Sequence, residues 1–222
     1  MKRGKILKGT SAWGHTRRMN IRPERDTFLI LTNGKNTEPS YFSKFRLSNI
    51  TLKWRPLDPL RLVKHAVAMD ALNKFDHVWV VFDKDEFTDE NFNEAINMAR
   101  KSGIKVAYSN QAFEYWLLLH FEALNGERMD RRHYGVKINN LLSKYNLEYP
   151  FDSSKLISNN FFDVLISSEP VTGRKRVDLA IERAGKIYDR LDHHSPAKEE
   201  SSTTVHLLVQ ELIVYFNTDL AI

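Results

Sequence analysis

Short apolar runs alternate with amphipathic stretches through the first half of the chain. Four runs rich in branched and aromatic residues predict strands near residues 27–32, 50–54, 77–82 and 104–109. Between and after them, apolar residues recur at helical spacing, which predicts helices at 40–47, 60–75, 89–101 and 112–124. Strands that alternate with helices over short connections are typical of βαβ units. The sequence therefore predicts an α/β fold with a central parallel sheet flanked by helices.

The pattern changes after about residue 127 and becomes helical and more polar. It predicts helices at 134–145, 153–166, 174–191 and 201–216, with a loop at 193–202 before the last one. The chain is therefore divided into a basic N-terminal arm (1–26), an α/β core (27–125) and a mainly helical C-terminal region (126–222). The arm is either a solvated tail or a segment that contacts phosphates.

Composition narrows the class of protein. Hydrophobic residues make up 42% of the chain, enough for a sizeable core, and no apolar run is long enough to predict a membrane span. Cysteine is absent, which excludes disulfides and thiolate metal sites and fits a cytoplasmic location. The net charge of +5 favours polyanionic partners such as nucleic acid, but only mildly.

Acidic residues follow the third predicted strand directly. Asp83 and Asp85 come after HVWVVF, at the end of a strand, where both carboxylates can project to one side. Ligand sites in parallel sheets form beyond the carboxyl ends of the strands. Magnesium takes hard oxygen ligands, usually one or two carboxylates together with waters and phosphates. The alternative is a solvated turn, since this spacing of two acids is common.

The first predicted strand ends in a second polar segment, NGKNTE (33–38). Gly34 permits a tight turn, Lys35 is placed to meet a phosphate, and Glu38 stands at a helix start, capped by Thr37 in this interpretation. The segment lacks the spacing of a P-loop. It is either an ordinary strand-to-helix turn or part of the same site as Asp83.

The apolar helix predicted at 112–124 contains two polar residues, Glu114 and His120. Glu114 lies near the helix start, at the same sheet edge as Asp83, whereas His120 lies about two turns further along. Most polar groups in such helices are satisfied core residues. The alternative is that Glu114 joins the acidic site and His120 orders a carboxylate or a core hydrogen bond.

The chain resembles the RloB-like family, a branch of the Toprim superfamily, in four segments that occur in the order TNGKNTEPSYF (32–42), VWVVFDKDEF (78–87), SNQAFEYWLLLHF (109–121) and SSTTVHLLV (201–209). The resemblance spans residues 27 to 216. It implies a Toprim-like α/β domain with a strand-end Glu-Gly motif, a later D-x-D, and magnesium-dependent cleavage or rejoining of phosphodiester bonds. It also implies a role in bacterial antiviral defence through abortive infection, with a partner ATPase of the ABC or AAA type.

One position departs from the Toprim pattern, because Asn33 stands where the motif has Glu before Gly34. An amide oxygen can ligate magnesium, but it carries no charge and cannot act as a base. Either Glu38 supplies the missing carboxylate, or the site is catalytically weak. Asp83 and Asp85 match the D-x-D, and Glu114 and His120 match polar positions of the third segment.

The expected function is a nuclease that uses Mg²⁺ or Mn²⁺ to cleave RNA, including tRNA, or DNA. Its expected catalytic residues are Glu38, Asp83, Asp85, Glu114 and His120, and its expected metal ligands are Glu38, Asp83, Asp85 and Asn33. A nick-and-rejoin cycle on Tyr41 or Tyr108, a phosphoryl or nucleotidyl transferase, and a catalytically weak module that binds nucleic acid or the ATPase are the alternatives. Self-association stays open.

Phosphate groups would be repelled by the acidic cluster alone, so the path of a nucleic acid must carry cations. The chain offers several near the motifs and in two later runs. The predicted nucleic-acid-binding residues are Lys35, Lys84, Arg128, Arg131, Arg132, Arg174, Lys175 and Arg176. Each run alone is more often a solvated face, so the prediction depends on their convergence at the acidic edge.

Overall fold

A computed structural model describes residues 25–220 of the chain. The predicted basic arm at 1–26 therefore lies outside the described residues, except for its last two positions. Within 25–220, no helix combines the length and the apolar character needed to cross a membrane.

The centre of the fold is a five-stranded sheet in which β1, β2, β3 and β4 run parallel. The strands occur in the order β2-β1-β3-β4-β5, and β5 pairs antiparallel with β4. Their bounds are β1 Phe28–Thr32, β2 Ile50–Trp54, β3 His77–Asp83, β4 Lys105–Asn110 and β5 Ser202–Thr203. The α/β fold and the parallel sheet are thus as the sequence predicts, with an antiparallel edge added to it.

Helices cover the sheet and build the C-terminal region. Those that connect or follow the parallel strands are α1 Thr37–Ser43, α2 Pro59–Asp70, α3 Asp89–Lys101 and α4 Glu114–Leu119. Those of the C-terminal region are α5 Tyr134–Leu142, α6 Asn159–Ile166, α7 Arg176–Tyr188 and α8 Val205–Leu220. Short 3-10 turns follow or precede some of them.

Two apolar clusters lie on the two faces of the sheet. Successive residues of β1 point to opposite faces, so that Phe28 and Ile30 belong to the first cluster and Leu29 and Leu31 to the second. The second cluster packs the sheet against α2 and α3. The first joins the sheet to α1, α4 and the C-terminal helices, so the predicted core and C-terminal regions share one hydrophobic interior.

The register of the parallel strands places the polar segments that follow β1, β3 and β4 at the same edge of the sheet. Thr32 pairs with Val81, and Asp83 pairs with Ser109, so β1, β3 and β4 end close to one another. The parallel arrangement of β1 and β3 confirms that the two acidic segments leave the sheet at the same edge. This geometry is the basis of the candidate site.

Several boundaries differ from the prediction. The fourth helix covers Glu114–Leu119 rather than 112–124, and residues 153–158 form turns and irregular backbone rather than the start of a helix. Ser158 caps the N-terminus of α6, because its side chain accepts a hydrogen bond from the backbone N–H of Phe161. Residues 202–203 form β5 instead of a helix, because they bond to the free edge of β4.

Gly135 provides a test of packing in the C-terminal region. A Cβ atom there would lie 2.2 Å from the Phe151 ring, whereas nothing lies within 4 Å of a Cβ at Gly185, in the middle of α7. We expect Gly135→Ala to lower the free energy of unfolding by roughly 1–3 kcal/mol, because the ring must move. Gly185→Ala should leave it unchanged or raise it by up to about 1 kcal/mol. Chemical denaturation measures both, and equal effects would contradict the packing described.

Candidate metal and phosphodiester site

A cavity of about 440 Å³ opens where β1 and β3 leave the sheet. Its lining includes four of the predicted acidic residues, Glu38, Asp83, Asp85 and Glu114. The predicted Asn33 and Lys35 line it as well. Arg131 and Lys155 come to the same cavity from the C-terminal region. The structure therefore collects in one place most of the residues that the motifs single out.

Asp83 is the last residue of β3 and is fixed from one side only. Its Oδ2 accepts a hydrogen bond of 3.1 Å from the backbone N–H of Phe113, just before α4. Its Oδ1 is buried and has no hydrogen-bond partner within the described part of the chain. A buried carboxylate oxygen without a donor costs free energy. It is the kind of atom that a cation satisfies.

Glu38 projects from the first turn of α1 and is 5% exposed. Its carboxylate lies directly against Gly34, where a Cβ atom would be 2.3 Å from both carboxylate oxygens. Gly34 is thus required less for its backbone angles than for the space that it leaves to Glu38. Thr37 is the first residue of α1 rather than its cap, and the preceding Asn36 makes no side-chain cap.

Glu114, like Glu38, is a buried acid of the cavity, at 3% exposure, and it is the first residue of α4. The hydroxyl of Tyr149 donates a hydrogen bond of 2.8 Å to Glu114 Oε1, and that hydroxyl also lies 3.1 Å from Thr37 Oγ1. Burial keeps the pKa of Tyr149 far above its ordinary value, so the phenol stays a donor. Tyr149 thereby ties α4 to α1 behind the cavity.

Glu38 and Asp83 lie in an environment where burial and repulsion from neighbouring carboxylates both disfavour their charged forms. Burial raises the pKa of Glu38 to about 7, the charge of Glu114 adds to the increase, and Lys155 opposes it. Burial also raises the pKa of Asp83 well above its ordinary value, with further contributions from the charges of Glu38 and Glu114. Without a cation, the Glu38 carboxyl is therefore partly protonated near neutral pH.

Asp85 lies at the mouth of the cavity and differs from the buried acids. It is exposed, it adopts a positive φ of 41°, and it forms an ion pair with Arg131. The backbone N–H of Arg131 is held by Gln111 Oε1 at 2.9 Å, just beyond β4. The second acid of the D-x-D is therefore neutralised by the C-terminal region, whereas Asp83 is not.

The sequence predicts that Glu38, Asp83, Asp85 and Asn33 hold a divalent metal. Residues 25–220 contain no group of three or more His, Cys, Asp or Glu side chains arranged to hold one. However, Asn33 Oδ1 and Asp83 Oδ1 are both buried without hydrogen-bond partners among these residues, and the Glu38 carboxylate lines the same cavity. Hard oxygens in this small number fit Mg²⁺, which keeps several waters and needs only one or two carboxylates. Metal binding stays a prediction.

Three cations reach the cavity. Lys35 follows Gly34, Arg131 forms the ion pair with Asp85, and Lys155 lies in the irregular segment before α6. A second cavity, of about 390 Å³, shares Arg131 and Lys155 with the first and adds Arg132 and Phe151. The two cavities thus adjoin through positive side chains, as a path for phosphates requires.

The other predicted basic residues lie apart from the lining of the acidic cavity. The ammonium of Lys84 pairs with Asp89, Arg128 pairs with Glu200, and Arg132 pairs with Asp130. In the run at 174–176, Arg174 pairs with Glu182 and Lys175 bonds to Asn217. Arg176 is 3% exposed and donates to Ser167, Ser168 and Tyr145, so its burial removes it from the predicted basic surface.

Three further predicted residues lie in the core. His120 is fully buried, its ring lies 4.7 Å from that of Trp116, and it bonds to the carbonyl of that residue. Burial lowers the pKa of His120 to about 3, so the ring is neutral, and we remove it from the candidate site. Tyr41 and Tyr108 are also buried, with pKa values raised by burial, which disfavours them as nucleophiles.

Tyr149 and Lys155 were missed by the sequence analysis. Both lie in a segment without periodicity, EYPFDSSKL (148–156), part of which was assigned to a helix. The available signal was Pro150 with the Asp152-Ser153-Ser154 cluster, which is typical of a loop. Loops that pack on a rigid sheet commonly contribute binding residues.

The raised pKa of Glu38 predicts how stability depends on pH. Its folded value of about 7 exceeds the ordinary 4.5, so the cost of burying the charge is absent below pH 4.5, grows as pH rises to 7, and is constant above. In metal-free buffer, Glu38→Gln should therefore raise the free energy of unfolding at about pH 8 by on the order of 3 kcal/mol, and change it little near pH 4.5. The exposed Glu94→Gln is the control. A pH-independent effect of Glu38→Gln would contradict this.

The family model described as RloB-like protein matches residues 28–212. This range covers the whole parallel sheet, the acidic cavity and the first half of α8. No curated protein and no solved structure matches the chain. The matched range is most of the chain and contains every residue of the candidate site, so the protein belongs to the RloB-like family.

Proposed function

We propose that the protein is a metal-dependent nuclease that hydrolyses phosphodiester bonds of RNA or DNA at the acidic cavity. One observation carries the proposal. Asn33 Oδ1 and Asp83 Oδ1 are buried oxygens without hydrogen-bond partners in the described part of the chain, and their residues line one cavity with Glu38 and three cations. Unpaired oxygens together with positive side chains fit a site that takes a metal ion and a phosphate at once.

Each residue has a distinct task in this proposal. Asp83 and Asn33 would ligate the metal, and Glu38, held against Gly34, would complete the donor set. Tyr149 keeps Glu114 in place by its hydrogen bond. A bound Mg²⁺ or Mn²⁺ would offset the negative charge of the cluster, polarise a phosphate and lower the pKa of water. Lys35 and Lys155 would orient the phosphate oxygens.

The enclosure of the cluster suits this chemistry. Glu38 is 5% exposed, and its burial excludes much of the bulk water that would compete with a bound phosphate for the site. Hydrolysis is favoured over a nick-and-rejoin cycle, because Tyr41 and Tyr108 are buried. Membership of the family extends the proposal to bacterial antiviral defence under the control of a partner ATPase, with tRNA among the candidate substrates.

A second candidate is a catalytically weak module that binds nucleic acid or docks on the ATPase. Two observations favour it. Asn33 brings no charge to the position where the Toprim pattern has Glu, and Asp85 is already paired with Arg131. Such a module would use the cations of the cavity without hydrolysing the phosphodiester. Metal dependence separates the two candidates.

The nuclease proposal is tested by incubating the full chain with end-labelled tRNA and DNA in Mg²⁺, in Mn²⁺ and in excess EDTA. We expect cleavage only when metal is present. Asp83→Asn should lower the cleavage rate at least about 100-fold, because loss of a metal ligand should cost at least as much activity as loss of a residue that hydrogen-bonds to a ligand. Glu38→Gln should behave similarly. Glu94→Gln, which removes an acid exposed on α3, should cleave as the unchanged protein does.

Calorimetric titration with Mn²⁺ distinguishes the candidate functions further. A nuclease should bind the ion and lose binding in Asp83→Asn, while the melting temperature of that variant confirms that it is folded. Cleavage that persists in EDTA, or that is unchanged in Asp83→Asn, would reject the site. Metal-independent binding of nucleic acid without cleavage would favour the second candidate.

Lys155 should contribute to binding as a phosphate contact. We expect Lys155→Gln to weaken binding of nucleic acid of any sequence and to reduce the slope of log K against log salt by about one. Arg174→Gln, which removes an equal charge outside the lining of both cavities, should leave that slope unchanged. Fluorescence anisotropy in EDTA at several salt concentrations measures both. Equal slopes in all three proteins would show that Lys155 contacts no phosphate.

A further inference from the structure

Trp54 is unusual in its exposure. It is the last residue of the edge strand β2 and is 40% exposed, and within residues 25–220 no other Phe, Tyr or Trp side chain is classed as exposed. All the other residues of β2 are half-buried. An exposed tryptophan carries a large unfavourable contact with water, so its position on the surface calls for an explanation.

Its place in the sheet puts Trp54 beside the acidic cavity. Trp54 pairs in register with Thr32, the residue before Asn33. The Lys35 ammonium lies 5.6 Å from the centroid of the indole ring, and Lys35 lines the cavity. Pro56 and Leu57, which follow Trp54 closely, line the cavity as well. The indole therefore stands at one side of the cavity, next to a cation that reaches into it.

Cations and a second aromatic residue continue beyond the cavity. Arg131 and Lys155 belong to both adjoining cavities, and Phe151 lines the second one. The Lys155 ammonium lies 4.8 Å from the Phe151 ring. Lys35 and Lys155 both line the acidic cavity, and an aromatic ring lies near each ammonium group. Aromatic rings interleaved with cations are typical of surfaces that bind single-stranded nucleic acid.

We infer that Trp54 is a stacking platform for an unpaired base, and that the acidic cavity acts on single-stranded or locally unpaired nucleic acid. A base can stack on the indole only if it is free of its neighbours, which a duplex does not permit without unpairing. On binding, Lys35 exchanges its contact with the ring for a contact with the adjacent phosphate. This inference names the substrate class of the proposed nuclease, while its binding part does not depend on cleavage.

The test measures binding of a labelled oligonucleotide of about 12 nucleotides, a length within the range of such sites. The oligonucleotide is used as RNA and as DNA, alone and annealed to its complement. Binding to the full chain is followed by anisotropy in excess EDTA, which keeps metal-dependent cleavage from interfering. Variants are Trp54→Ala, Trp54→Phe and, as a matched control, Leu72→Ala. Leu72 is 54% exposed and lies in the connection that enters β3, at the opposite edge of the sheet.

We expect the single strand to bind more tightly than the duplex. Trp54→Ala should weaken single-strand binding on the order of tenfold, because one base–aromatic stack is lost. Trp54→Phe should keep most of the affinity, and Leu72→Ala should keep all of it. Duplex binding should be the same in all four proteins.

Tryptophan fluorescence gives a second measurement that requires no destabilising variant. Trp79 and Trp116 are buried, and Trp13 can be replaced by Phe, so that the exposed Trp54 reports contact with solutes. Single-stranded oligonucleotide should quench this emission, and duplex should not. Any of three results would overturn the inference: the single strand and the duplex bind with equal affinity, Trp54→Ala binds the single strand as tightly as the unchanged protein, or the single strand leaves the tryptophan emission unchanged. If Trp54→Ala instead abolished association with a protein partner only, Trp54 would be a protein contact.

Failure of the nuclease proposal and failure of the stacking inference give different results. If the protein cleaves no substrate with Mn²⁺ but binds single strands through Trp54, the stacking platform stands and the nuclease proposal fails. If it cleaves duplex as rapidly as single strand and Trp54→Ala changes neither rate, the nuclease proposal stands and the inference fails.

Discussion

The crowding of three carboxyl groups at one sheet edge is the constraint on which the rest of the site depends. Glu38, Asp83 and Glu114 are brought together because β1, β3 and β4 are parallel and in register. Carboxylates so placed repel one another and lose hydration. The cost is offset by the backbone N–H of Phe113, the phenol of Tyr149 and the positive side chains of Lys155 and Arg131. What these donors leave unsatisfied is what a metal and a phosphate could satisfy.

The sheet was predictable from the sequence because a strand in a parallel sheet is a short, nearly continuous apolar run. The predicted strands at 50–54 and 77–82 agree with β2 and β3 to within one residue. The limits of α4 were not predictable in the same way. Its sequence is apolar on all sides, so its periodicity gives no sign of where the helix ends. A strand as short as β5 has no pattern of its own, since it exists only through its pairing with β4.

The acids of the site were predictable from their positions after strands, but the roles of the cations were not. A basic residue in a sequence does not show which acid it pairs with. Arg174 is neutralised by Glu182 and Arg176 is enclosed by Tyr145 and the carbonyls near it, although both belong to a run that looks like a binding surface. Lys155 is a single lysine in a loop, yet it reaches the cavity. His120 shows the same limit, because polarity in an apolar helix does not reveal the direction in which the side chain points.

Tyr149 and Lys155 come from the segment between α5 and α6, far along the chain from the strands that carry the acids. The cavity is therefore a composite whose two halves meet only when the chain has folded through to about residue 158. A fragment that ends after α4 would keep the three acids without the hydrogen-bond donor Tyr149 and the cation Lys155, which make their proximity tolerable. During synthesis on the ribosome, the acidic half emerges first, so the site is completed only by the part of the chain that is made later.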